Sequence, residues 1–139
     1  MRHPTLFAAS AFLACVAGLA QAAETAQANK SWQQGIHRTD LTRHDLHVPG
    51  QEVIQVRVDF DEGIASPKHS HPGAEVAYVI QGTFEYQLEG RAPVTLQAGE
   101  SLYIPAGTAH VATNVGMGKA SELATYIVSK QDPLLKIEQ

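Results

Sequence analysis

Between Glu52 and Ser129 the chain repeatedly alternates apolar and polar residues and then stops, and this rhythm confines it to a β fold. In EVIQVRVDF, Glu52 to Phe60, residues Ile54, Val56, Val58 and Phe60 share one face, while Gln55, Arg57 and Asp59 share the other. Period 2 predicts a half-buried strand. Asp61-Glu62-Gly63 turns the chain. Glu75 to Gln81 is a second strand, ended by Gly82. Thr83 to Glu89 alternates again, with Phe84, Tyr86 and Leu88 on one face. Val94–Gln97, Ser101–Ile104, His110–Val115 and Glu122–Ser129 follow, separated by Ala98-Gly99, Pro105-Ala106-Gly107 and Gly116-Met117-Gly118. Pro133–Gln139 reads as a helical turn or a loose strand. About seven or eight short strands with Gly at most turns predict an antiparallel sandwich or barrel. No internal repeat divides it.

The N-terminus reads differently. Arg2 and His3 precede an apolar, small-residue run from Leu6 to Ala20, and Ala20-Gln21-Ala22 fits a signal peptidase site. Residues 1–22 are therefore expected to be a signal peptide, with a periplasmic or secreted product. The alternatives are a lipoprotein acylated at Cys15 and a membrane anchor, for which the run is short and rich in alanine. Residues 23–50 read as a partly flexible N-terminal arm, residues 51–130 as the barrel and residues 131–139 as a C-terminal tail. Within the arm, Trp32 to Gly50 shows no strand or helix pattern. Its His37, His44 and His47 are expected on the surface, with a second metal site as the alternative.

Cys15 is the chain's single cysteine, so cleavage leaves no thiolate ligand and no disulfide. Any metal site must then use His and carboxylate. The chain of 139 residues carries a net charge of −4, and its basic residues form no run. Nucleic acid and anionic membrane surfaces are poor partners for such a surface. Short strands leave little shielded core, which favours association through sheet faces as a homodimer.

Three good metal ligands crowd one turn in HSHPGAE. On a strand, His69 and His71 point to the same face, and Pro72-Gly73 lets the chain turn before Glu75. His110 heads a later strand. Three imidazoles with one carboxylate form a mixed N/O set suited to a first-row divalent metal (Fe, Mn, Ni, Cu or Zn) with positions left open, an arrangement that fits catalysis better than a closed structural site.

These segments resemble the two signatures of the cupin superfamily. The first runs Gly63, IASPK, His69, Ser70, His71, PGA, Glu75, VAYVIQ, Gly82. The second runs Gly99, ESLYI, Pro105, Ala106, Gly107, TA, His110, VAT, Asn114. Every fixed position is filled at family spacing, and the likeness extends over about Glu52 to Lys130. The resemblance implies an all-β fold, a jelly-roll-like double-stranded β-helix barrel, often dimeric, with one divalent metal ion held by His69, His71, Glu75 and His110. The chain also looks like small single-domain bacterial cupins of the quercetin-dioxygenase-like group, a likeness that says little about substrate.

Alternation places Ala77, Val79 and Ala112 inside. Phe84, Tyr86 and Leu88 are either plain core or the wall of a substrate pocket, and Asn114 either ends its strand or supports the ligands. No second acid–base pair near the ligands is evident. Two functions fit: a metalloenzyme acting on a small oxygenated molecule as an oxygenase or as a lyase, decarboxylase or isomerase, and a non-catalytic periplasmic module that captures a small ligand or metal.

Overall fold

A computed structural model describes residues 34–139. The expected signal peptide, Cys15 and the first part of the arm lie outside the described residues. The strands are β1 (Ile36–Asp45), β2 (Gln51–Phe60), β3 (His69–Ser70), β4 (Ala74–Gln81), β5 (Thr83–Leu88), β6 (Val94–Gln97), β7 (Ser101–Ile104), β8 (His110–Asn114), β9 (Ala120–Ser129) and β10 (Lys136–Ile137). They form two five-stranded sheets with the orders β1-β2-β9-β4-β7 and β10-β3-β8-β5-β6. Every pairing is antiparallel. Among the described residues there is no helix, so none is long and apolar enough to cross a membrane.

The inner faces of the two sheets meet in one core. Phe60, Ala77, Val79, Ile104 and Ala120 of the first sheet pack against Phe84, Tyr86, Leu88, Leu96 and Ala112 of the second. Phe60 and Phe84 join them edge to face, with ring centroids 5.1 Å apart. Full burial of each such side chain is worth about 1.5–3 kcal/mol. A second cluster, Ile54, Val56, Ala124, Tyr126 and Val128, continues the core along β2 and β9. Gly82 makes the β4–β5 corner possible. Its φ of +80° is one that L side chains rarely adopt, and an added Cβ would lie 2.7 Å from the Ala120 side chain.

The structure corrects the reading of the arm. Ile36–Asp45 is a strand of ten residues on the sheet edge, paired with β2 from Ile36↔Phe60 to Asp45↔Glu52. The alternation test missed it because only Ile36 is even partly buried. Main-chain bonds to β2 hold it, and Arg38, Asp40, Arg43 and Asp45 charge the edge against further pairing. A bulge between Asp40 and Thr42 breaks its period as well. His37, His44 and His47 are exposed, and no cluster of metal-ligating groups among the described residues includes them. The ambiguous tail resolves as β10, which pairs with β3 through Lys136↔Ser70 and Ile137↔His69.

Candidate metal centre

Strand pairing brings the chemistry together. His69 on β3 is the cross-strand partner of His110 on β8. Glu75 on β4 lies opposite Tyr126 on β9. His71 sits in the short link between β3 and β4, where Gly73 lets the chain pass close to β9. A Cβ at Gly73 would press on the Ile127 carbonyl and lie 2.8 Å from Val128 Cα. This close approach sets the turn that carries Glu75 back to His71.

The potential ligand atoms of His69, His71 and His110 all lie within 4.8 Å of one another. Glu75 Oε2 is 3.2 Å from His71 Nε2 and 3.4 Å from His110 Nε2. Each imidazole is anchored through its other nitrogen. Nδ1 of His69 meets the Pro67 carbonyl at 2.8 Å, that of His71 the Leu134 carbonyl at 2.6 Å, and that of His110 the Thr108 carbonyl at 3.0 Å. A carbonyl only accepts, so each Nδ1 carries a proton, and a ring in its neutral form keeps the free lone pair on Nε2. Two buried atoms remain without a hydrogen bond, His71 Nε2 and Glu75 Oε2. Leaving such groups unsatisfied costs about 1–3 kcal/mol each, and a cation between them removes that cost. The residues therefore fit a divalent metal.

The charges agree with this. Burial alone would raise the Glu75 pKa, but the His110 and His71 rings beside it outweigh burial and hold it at about 2. Burial, aided by the charge of His110, lowers His69 to about 4. Burial opposes protonation of His110, yet the Glu75 carboxylate wins and raises its pKa. At neutral pH the site thus holds a carboxylate and a neutral His69, a donor set ready for a metal.

A cavity of about 400 Å³ opens beside the cluster, within the usual ligand range of about 300–1,000 Å³. His69, His110 and Glu75 reach its wall; Ile36, Val58, Phe60, Ala112 and Leu135 make that wall largely apolar. Of the sequence-selected pocket residues, Tyr86 and Ala112 line the cavity, whereas Phe84 and Leu88 are buried core that does not reach it. Asn114 does not line it either. Its Nδ2 donates to the Gly118, Asp61 and Phe60 carbonyls, and its Oδ1 accepts from Gly116 N–H, so it ties the end of β8 to two loops.

Sequence reasoning missed Arg38, Glu122 and Tyr126, all in the cavity wall. The Tyr126 ring packs on His71 at a centroid distance of 4.5 Å. Glu122 accepts a hydrogen bond from the Tyr86 hydroxyl. Burial, then the charge of Glu75, raises the Glu122 pKa to about 8. A second carboxyl therefore does stand near the ligands. The phase of β9 was the available signal: Glu122 is in register with buried Ala124, Tyr126 and Val128.

The Cupin domain family model matches residues 56–126. Germin-like protein subfamily 3 member 3 of Arabidopsis thaliana is 37% identical over 95 residues, covering 65% of this chain and 44% of its own length. Oxalate oxidase GF-2.8 of Triticum aestivum is 32% identical over 96 residues, covering 61% and 42%. A solved recombinant oxalate oxidase in complex with glycolate is similar with a TM-score of 0.61 at 28% identity, covering 78% of this chain and 58% of that one. The chain spans about two fifths of the length of the curated relatives it matches. The family match takes in half of the chain together with the His69–Glu75 turn and His110, on a barrel of two antiparallel sheets, and the chain belongs to the cupin family.

Proposed function

We propose that this protein is an exported metalloenzyme acting on a small oxygenated organic molecule. One divalent ion, Fe, Mn, Ni, Cu or Zn, is held by His69, His71, Glu75 and His110. The observation that carries this reading is the set of three Nδ1-anchored imidazoles around a buried carboxylate oxygen with no hydrogen-bond partner. A bound metal supplies either dioxygen activation or Lewis-acid polarisation of a substrate oxygen. The chain's own residues do the rest. The carbonyls of Pro67, Leu134 and Thr108 fix the ring orientations. Ile36, Val58 and Phe60 exclude water from the substrate body. The similarity to relatives that include an oxalate oxidase supports an oxidoreductase. Export rests on the sequence of residues 1–22.

The test is elemental analysis of protein recovered without chelator, in the wild type and in His110→Ala. About one metal per chain in the wild type, and loss of metal with an intact β-sheet spectrum in the variant, is expected from an open three-His site. No metal in the wild type, even after reconstitution, refutes the reading. A second reading, non-catalytic capture of a small ligand, is favoured by the mostly apolar cavity; saturable binding without turnover selects it.

The protein is further proposed to act as a homodimer. Val76, Tyr78 and Ile80 of β4, Tyr103 of β7 and Ile127 of β9 are exposed apolar side chains on the outer face of one sheet. A second copy would cover them. Light scattering at the monomer mass would refute this.

A further inference from the structure

Glu122 is a buried carboxyl that the four proposed ligands leave unused. It is 6% exposed, lies opposite Val79 in the β4–β9 pairing and forms part of the cavity wall. Its Oε2 accepts the Tyr86 hydroxyl. Its Oε1 has no hydrogen-bond partner among the described residues, and the residue lines the cavity. As pure core, the pair is a poor choice. Apolar residues of similar shape at both positions are often neutral or stabilising, whereas a buried acid carries a desolvation cost. A buried carboxyl facing a cavity is a candidate for ligand recognition.

Position sets what it can recognise. Glu75 pairs with Tyr126, whereas Glu122 pairs with Val79, four residues farther along β4. At about 3.3 Å per residue the two backbone positions are separated by about 13 Å, a gap that the two inward-reaching glutamates narrow. The same cavity wall includes the apolar Phe60, Ala112 and Val58.

We propose that Glu122 determines specificity: its free carboxyl oxygen hydrogen-bonds a hydroxyl or carbonyl of a ligand whose other oxygen function is held at the His69–His71–Glu75–His110 cluster, with an apolar body between. This rests on the metal-site reading above and deepens it. The ligand class is a ring-sized hydroxylated or oxo acid. The raised Glu122 pKa supports the assignment, since a carboxyl still protonated at neutral pH offers both an O–H donor and an acceptor.

The experiment is calorimetric titration of the full chain, processed and purified with its metal, using benzoate, 3-hydroxybenzoate and 4-hydroxybenzoate, with metal content measured on the same samples. In the wild type, one or both hydroxybenzoates should bind about tenfold tighter than benzoate. Glu122→Gln, which still hydrogen-bonds, should retain most of that preference. The double variant Glu122→Leu with Tyr86→Phe leaves no orphaned hydroxyl and should bind all three acids within about threefold of one another, with metal content unchanged. Equal wild-type binding of the three acids, binding of none, or a preference that survives in the double variant would overturn the proposal. Absence of metal in the wild type sinks the metal reading instead, and the hydroxyl preference can still be read in that protein.

Discussion

Asn114→Ala separates what the fold needs from what the site needs. The side chain is 1% exposed and binds only backbone groups. Its Nδ2 has two hydrogens but three carbonyls within reach, at 2.8, 3.1 and 3.3 Å, so two good bonds and one shared contact are the realistic count. Oδ1 adds one accepted bond, from Gly116 N–H at 3.1 Å. Removing the amide forfeits these and strands their partners in a site too tight for easy solvation. With a net value of about 1 kcal/mol per bond and a further cost for the orphaned groups, the expected loss is about 2–4 kcal/mol. For a domain of roughly 100 residues this lowers Tm by roughly 10–25 °C. Calorimetric melting measures it, and elemental analysis well below Tm should find metal content unchanged, because Asn114 contacts none of the proposed ligands. A Tm drop under about 3 °C would refute the hydrogen-bond accounting. Metal loss at an unchanged Tm would refute the structural role and return Asn114 to the site.

Two further perturbations probe the centre. Gly73→Ala forces a Cβ toward Val128 Cα and the Ile127 carbonyl, so it should cost about 1–3 kcal/mol of overpacking and lower metal occupancy as Glu75 moves from His71; normal occupancy with an unshifted melt would show that the turn has slack. Stability against pH, measured on metal-free protein, should reveal Glu122. Its folded pKa of about 8 lies above the ordinary 4.5, so the folded chain keeps a proton that the unfolded chain has lost, and stability falls as pH rises through that window. His69, lowered from 6.5 to about 4, works in the opposite sense between those values, which leaves pH 6.5–8 as the clear interval. There His110, raised by Glu75, adds to the decline. Glu122→Gln should therefore flatten the curve between pH 6.5 and 8, and parallel curves for the two proteins would contradict the buried-acid assignment.

Legibility followed burial. Val94–Gln97 and Ser101–Ile104 appear in the structure with the bounds that turn residues and alternation predict, and β2, β4, β5, β8 and β9 lie within two residues of theirs. Each puts apolar side chains on its inner face; period 2 detects that where the outer face is polar, and in β4, apolar on both faces, the bounding glycine and the continuous apolar run serve instead. Strand β1 has no such face, and its pairing energy is in the main chain, which no side-chain pattern reports. The same limit applied to the site. HSHPGAE and His110 were conspicuous because ligand residue types are rare in apolar strands. The Leu134 carbonyl that orients His71 is a backbone atom of an otherwise featureless tail, and its role depends on β10 pairing with β3.

Glu122 is the instructive miss, because its signal was present and was not used. Turn and alternation signals start the last long strand at Glu122, which leaves Glu122 at a boundary with no phase of its own relative to Ala124, Tyr126 and Val128. Once β9 is seen to begin at Ala120, Glu122 becomes an interior position flanked on the same face by alanines. Small neighbours leave room, and a carboxyl set in that room faces a cavity and not a packed core. An acid at an inward strand position between small residues therefore deserves the same scrutiny as a histidine pair. Its burial is costly, the strand phase alone reveals it, and here it lines a part of the cavity wall that a metal motif cannot describe.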